Sequence, residues 1–263
     1  MKIEKDPRSL FAVFSTMAML VLVPEFSAAR VFDFSQEYLS TYIRGTGGLS
    51  NLNKDAYGAA SGATTTFEDK VEFNFSGEVG VALSVSQVTL RLGVEGLVPK
   101  ELDGIEGKDG SGVNLLTLRS ETLGIVPTVS VEIAVYQDAS ARFLVGIGIG
   151  KASVTVTNTY TLTAAGTAAL GGVTDYTEVA KGSAIGGNAF AGIESLFTDN
   201  VTFTAEVGYR YYQLNELKHD QSAATIVGNV VAGDRAVNSD GSDRTLNLKG
   251  LYAGIGLRFY IGL

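Results

Sequence analysis

The sequence predicts an all-β chain, closed as a transmembrane, antiparallel, up-and-down β-barrel of about eight strands. Three observations predict it. Apolar residues recur at every second position in segment after segment. The connections between segments alternate short and long. The aromatics on the apolar face gather at two levels about one membrane apart. The first pattern is plainest from Thr245 to Leu263. Leu251, Ala253, Ile255, Leu257, Phe259, Ile261 and Leu263 alternate there with Tyr252, Gly254, Gly256, Arg258, Tyr260 and Gly262. Side chains alternate faces along a strand, so one face is wholly apolar and the other is small, aromatic-hydroxyl or cationic.

The totals fit this class. The chain has 263 residues, 32 of them Gly and only 4 Pro, which suits close-packed strands better than disorder. Hydrophobic residues make up 45%, yet no internal run is long enough for a spanning helix. With no Cys, disulfides, thiolate metal sites and a cysteine nucleophile are excluded. A net charge of -8 argues against a nucleic-acid surface.

Residues 1–29 read as an export signal. Lys2, Lys5 and Arg8 precede an apolar core from Leu10 to Val23, and Ser27-Ala28-Ala29 supplies small residues for cleavage. The barrel is expected over 30–263. Its first strand is expected at 32–46, where Leu39, Thr41 and Ile43 alternate with Tyr38, Ser40, Tyr42 and Arg44. The second runs through Val71, Phe73, Phe75, Gly77, Val79, Val81, Leu83 and Val85. At Ser86-Gln87 the phase flips, and Val88, Leu90, Leu92 and Val94 become the apolar face, as a tight hairpin requires. A fourth strand carries Leu123, Ile125, Val129, Val131, Ile133 and Val135 opposite Gly124, Thr128, Ser130 and Glu132. A fifth is led by Phe143, Val145, Ile147 and Ile149, with Gly146, Gly148 and Gly150 inside. A sixth sets Ile185, Ala189, Ala191 and Ile193 against Asn188, Phe190 and Glu194. A seventh sets Val201, Phe203, Ala205, Val207, Tyr209 and Tyr211 against Thr202, Thr204, Glu206, Gly208 and Arg210. The segment at 251–263 closes the set.

The expected linkers are long at 47–66, 99–112, 157–182 and 215–244, and short at 86–87, 137–141 and 198–200. Short turns at one end and long loops at the other are the plan of an outer-membrane barrel, whereas a Greek-key sandwich has no reason to segregate them. A tilted barrel strand climbs roughly 2.5 Å per residue along the axis. That puts Phe143, Phe197, Phe203 and Phe259 in a belt near the short turns. Phe73, Phe75, Tyr209 and Tyr211 form a second belt near the long loops, about 25 Å away.

On this hairpin rhythm, on FTDNVTFTAEVGYRYY and on the closing GLYAGIGLRFYIGL, the chain from about 31 to 263 resembles the small eight-stranded outer-membrane barrels, such as the OmpA transmembrane domain. The resemblance implies a place in the outer membrane, surrounded by its lipid. It also implies a C-terminal strand read by the barrel-assembly machinery. Family members usually end in an aromatic residue, whereas here Leu263 follows Phe259 and Tyr260.

The inner face collects Arg44, Lys70, Glu72, Glu78, Arg91, Glu95, Glu132, Glu194, Glu206, Arg210 and Arg258. An eight-stranded barrel is just wide enough for side chains to fill it, and buried charges must pair. The expectation is a plug of Arg-Glu bridges, with glycines and tyrosines filling the taper. A narrow ion path through the same residues is the competing reading, and a small porin the competing function. The only histidine, His219, is followed by Asp220 and Ser222. A triad needs a base held against its nucleophile in space, so His219 is expected to be a solvated loop residue and the chain not an enzyme. Asn238-Ser239-Asp240-Gly241-Ser242-Asp243 fails the EF-hand spacing and reads as a polar turn. Asp103, Glu106 and Asp109 read as a solvated acidic loop, and no cofactor is expected. A structural barrel whose surface loops meet an unidentified ligand is the favoured function. A secreted soluble β-protein is the alternative from outside the membrane class.

Overall fold

Residues 32–51, 66–67, 71–169, 171–225, 228–238 and 241–261 are described by a computed structural model of the protein. The export signal expected at 1–29 and Lys70 lie outside these residues. Eight strands form the barrel: β1 (Leu39–Asn51), β2 (Val71–Val85), β3 (Val88–Lys108), β4 (Asn114–Gln137), β5 (Ala141–Leu162), β6 (Tyr176–Thr198), β7 (Val201–Tyr211) and β8 (Gly250–Ile261). Each pairs antiparallel with its neighbour in the chain. Closure comes from β1 on β8, with Leu39 opposite Ile261 and Gly48 opposite Tyr252. A closed ring leaves no strand edge unpaired at membrane level, which is what hydrocarbon demands of a spanning sheet.

The β2–β3 hairpin turns on Ser86-Gln87, with Val85 opposite Val88 and Ser86 at φ 56°. Two-residue hairpins use such left-handed positions because their twist matches that of the flanking strands. In the turn Asp138-Ala139-Ser140, the Asp138 carboxylate accepts the backbone N–H groups of Ser140 and Ala141 at 2.7 and 2.8 Å.

Alternation along the strands fixes which face meets lipid. On β4, Leu123, Ile125, Val129, Val131, Ile133 and Val135 are exposed, while Val126, Ser130, Glu132 and Ala134 are buried. From Leu123 to Val135 the apolar face rises roughly 30 Å along the axis at a barrel tilt, close to a hydrocarbon core. On β5 the polarity then inverts without a change of phase. Outward positions pass from Val145, Ile147 and Ile149 to Lys151, Ser153 and Thr155. Inward positions pass from Gly146 and Gly148 to the buried apolar residues Ala152, Val154 and Val156. Below this level the outside is oily and the inside polar. Above it the sheet is an ordinary water-facing one with an apolar core.

The structure corrects several boundaries. The loop expected at 99–112 shrinks to 109–113, because β3 and β4 continue past the membrane. The stretch expected as a long loop at 157–182 is strand at both flanks, where β5 and β6 continue the hairpin, and carries a short helix, α1 (Ala164–Ala169), near its tip. The first strand starts at Leu39 rather than 32. The residues before it enter the short-turn mouth, where Phe32 and Phe34 pack edge-on against Tyr260. The 215–244 stretch is no free loop. It folds back onto the inner side of the extended sheet, with Lys218–His219 pairing with Lys181–Ala180 of β6. Buried Leu214, Leu217, Ala236, Leu246 and Leu248 join Ile105, Leu116, Leu118 and Val156 in one core above the membrane. These apolar inward positions are why the strands run on: they bury surface that a polar loop would lack.

Candidate functional site

The interior at membrane level is the most chemically distinctive part of the molecule. Even positions of β8, β7 and β1 aim Arg258, Glu206 and Arg44 inward, and β2 to β6 add Glu78, Arg91, Glu132, Arg142 and Glu194. These join in one run. Arg44 bridges Glu78 and Glu206. Arg91 reaches Glu206 at 3.2 Å, Glu132 at 2.6 Å and Glu78 at 3.5 Å. Arg258 links Glu132 at 2.9 Å to Glu194 at 3.0 Å, and Arg142 closes the run on Glu194 at 2.8 Å. Arg210 pairs with Glu95 at 3.0 Å nearer the loop side.

Hydroxyls complete the carboxylates. Tyr42 donates to Glu78 at 2.6 Å, Tyr260 and Thr202 donate to Glu194 at 2.7 and 2.5 Å, and Ser76 donates to Glu95. Rings cover the guanidiniums: Arg91 lies 4.9 Å from the Tyr42 ring centre and 5.2 Å from that of Phe190, and Arg142 lies 4.8 Å from that of Phe34. Glu78, Glu95, Glu132, Glu194 and Glu206 stand against Arg44, Arg91, Arg142, Arg258 and the partly exposed Arg210, so the charges of these bridges sum to zero. Neutrality of this kind is what a low-dielectric interior requires, because one uncompensated charge there costs several kcal/mol.

Aromatic and glycine residues fill the remaining width in cross-strand pairs. Tyr42 lies opposite Gly80, Phe190 opposite Gly146 and Tyr252 opposite Gly208. A Cβ at Gly208 would stand 2.7 Å from the Tyr252 ring, and one at Gly80 would stand 2.6 Å from the Tyr42 hydroxyl. Two cavities among these side chains measure about 20 and 10 Å³. Each holds about one water molecule.

Of the expected lumen residues, Arg44, Glu78, Arg91, Glu95, Glu132, Glu194, Glu206, Arg210 and Arg258 are brought into these pairs. Glu72 lies on β2, and its side chain, like that of Phe73, is outside the described residues. Arg142 was missed. Its parity with Gly146 and Gly148 marks it as inward, but it directly precedes the first apolar residue of β5 and so reads as the end of a turn. Phe75, Phe143, Phe197, Phe203, Tyr209 and Tyr211 are exposed on the outer face, and Phe259 is half-buried there. Asp103 lies exposed on the β3 extension, Glu106 pairs with Lys108 at 2.6 Å, and Asp109 accepts the N–H groups of Ser111 and Val113. Asn238 and Ser242 close a turn on each other at 3.0 Å.

His219 overturns its expectation. It is 2% exposed and lies 3.2 Å from Glu178, itself buried and bridged to Arg244 at 2.5 Å. Fold-back of the 212–248 segment buries it, and no local pattern around a lone histidine encodes that. Among the described residues, no group of three His, Asp or Glu is placed to hold a metal ion.

A closed ring of eight antiparallel strands, oily outside and polar within over one membrane thickness, defines an outer-membrane β-barrel protein. Its place is the outer membrane. No protein-family model matches the chain, and no curated protein matches it. Among solved structures it is similar to the outer membrane protein OprG from Pseudomonas aeruginosa, at 12% identity. That match covers 88% of this chain and 99% of the other, with a TM-score of 0.49. It is also similar to CarO from Acinetobacter baumannii, at 13% identity, over 82% of this chain and 97% of the other, with a TM-score of 0.37. The outer membrane protease OmpT from Escherichia coli matches at 9% identity, over 89% and 99%, with a TM-score of 0.32.

Proposed function

We propose that this protein is a sealed structural barrel that works through the part it raises above the membrane. The single observation that carries the reading is the charge-neutral Arg-Glu plug, among whose packed side chains lie two cavities of about 20 and 10 Å³. A hydrated ion passing that level would have to break several buried bridges at once. In this reading β3 to β6 are a rigid stalk. The 212–248 segment and the tip of the β5–β6 hairpin are the surfaces offered to an external ligand. Outer-membrane lipid surrounds the apolar face, and the assembly machinery meets the chain through β8. Residues 1–29 direct export and are removed. In this reading the chain has no catalytic role, and the buried His219 belongs to the core rather than to a substrate site.

Planar-bilayer recording of the purified barrel tests the proposal. No steady current is expected between pH 6 and 8. Reproducible ohmic steps would transfer the function to a small channel.

A further inference from the structure

A second ionisable cluster lies above the membrane, in the apolar core rather than the lumen. Among the described residues, Glu178 of β6 is its only buried carboxylate. Arg244 Nη1 holds Oε2 at 2.5 Å, and the Tyr160 hydroxyl of β5 approaches the same oxygen at 3.4 Å. His219 Nδ1 stands 3.2 Å from Oε1, too poorly aligned to hydrogen-bond, and Nε2 meets no acceptor among the described residues. His219, Glu178, Arg244 and Tyr160 are each 1–2% exposed. Tyr176 of β6 stacks on Tyr160 at 4.6 Å. On the segment itself, Asp234 accepts the Val231 N–H at the surface, and Asp220 pairs with Lys181 of β6 at 2.7 Å, both exposed. One carboxylate therefore serves one guanidinium, and the neutral imidazole adds no charge.

His219 is also where the segment is fastened. It pairs with Ala180, the Asp220 N–H donates to the Val179 carbonyl at 2.7 Å, and Leu217 beside it is fully buried. We propose that the 212–248 segment is an acid-released cover over the loop-side mouth of the barrel, latched while His219 is neutral. A proton on the ring would put two cations beside a single carboxylate in an apolar core. Lifting the segment hydrates the imidazole and removes that imbalance. Burial holds the ring below its ordinary value; the Glu178 carboxylate opposes this, Arg244 adds to it, and the exposed Asp234 carboxylate opposes it further. A base lowered in the folded state stabilises the latch above the unfolded value near 6.5, and that stability is lost as pH falls. The inference stands apart from the sealed lumen and holds whether or not the barrel conducts.

The chain has no Cys and one His, so both probes are clean. Spin labels at Asn229→Cys and Ser153→Cys, in tag-free barrel in nanodiscs, report the distance from cover to stalk. A narrow distribution is expected at pH 7.5. At pH 5 a second, broader distance population is expected to grow, because protonation favours the state in which the imidazole is hydrated. His219→Gln is expected to stay narrow at both. A distribution unchanged down to pH 4, or the same response in His219→Gln, overturns the proposal. Should His219→Gln be open throughout, nitrogen-15 NMR of the wild-type imidazole decides. Its titration midpoint must coincide with the opening midpoint, and a mismatch overturns the latch.

Discussion

Glu194→Gln is the sharpest test of the plug. Glu194 is fully buried and accepts from four side chains: Arg142, Arg258, Thr202 and Tyr260. The amide keeps the shape and one acceptor oxygen. It removes the charge and turns an N–H donor toward guanidiniums that are themselves donors. The five arginines of the lumen bridges would then face four carboxylates. Removing one partner of a buried pair costs about 3–5 kcal/mol. At 1.4 kcal/mol per tenfold, that is a loss of about two to three and a half decades in the folding equilibrium. Equilibrium urea unfolding in lipid vesicles, read by heat-modifiable gel migration, measures it. Glu194→Gln combined with Arg142→Gln restores the charge balance and is expected to recover part of the loss, giving a coupling of about 1–3 kcal/mol. A single-variant cost below about 1 kcal/mol, or strict additivity in the double variant, would refute the claim that buried charge balance holds the lumen together.

Three further outcomes are expected. Gly146→Val drives a side chain into the Phe190 ring opposite and should destabilise by about 1–3 kcal/mol, whereas Gly45→Val, with open space outward, should not. A photoreactive probe confined to the bilayer should label Cys placed at Ile147 and Val207 but not at Val154 and Val156, although all four are aliphatic, because the last two face the core. Asp138, pushed down to about 2 chiefly by the Ser140 and Ala141 N–H groups, should stabilise its turn above the unfolded value of 3.8 and lose that contribution as pH falls toward 2. The unfolding midpoints of wild type and Asp138→Ala should therefore differ at pH 6 and converge near pH 2.

The alternation carried by Leu251 to Ile261 and by Val71 to Val85 determined which side chains face lipid, because strand periodicity is a local property. Hairpin count followed from the same local signals, since turns such as Ser86-Gln87 and Asp138-Ala139-Ser140 announce themselves in a few residues. The inward placement of Glu132, Arg258 and their kin came with the parity. Tertiary structure decided the rest. Which Arg meets which Glu depends on register and barrel shear, so residues far apart in the chain, as in the Arg44–Glu206 and Glu132–Arg258 pairs, become neighbours only after closure. The polarity inversion along β5 also needs the whole barrel. Thr- and Ala-rich sequence reads as loop until a fold-back segment gives Val154, Val156 and Tyr160 something to cover. His219 shows the limit most clearly: its burial is supplied by Glu178, Tyr160 and Arg244 from separate parts of the chain, and no local pattern specifies that meeting.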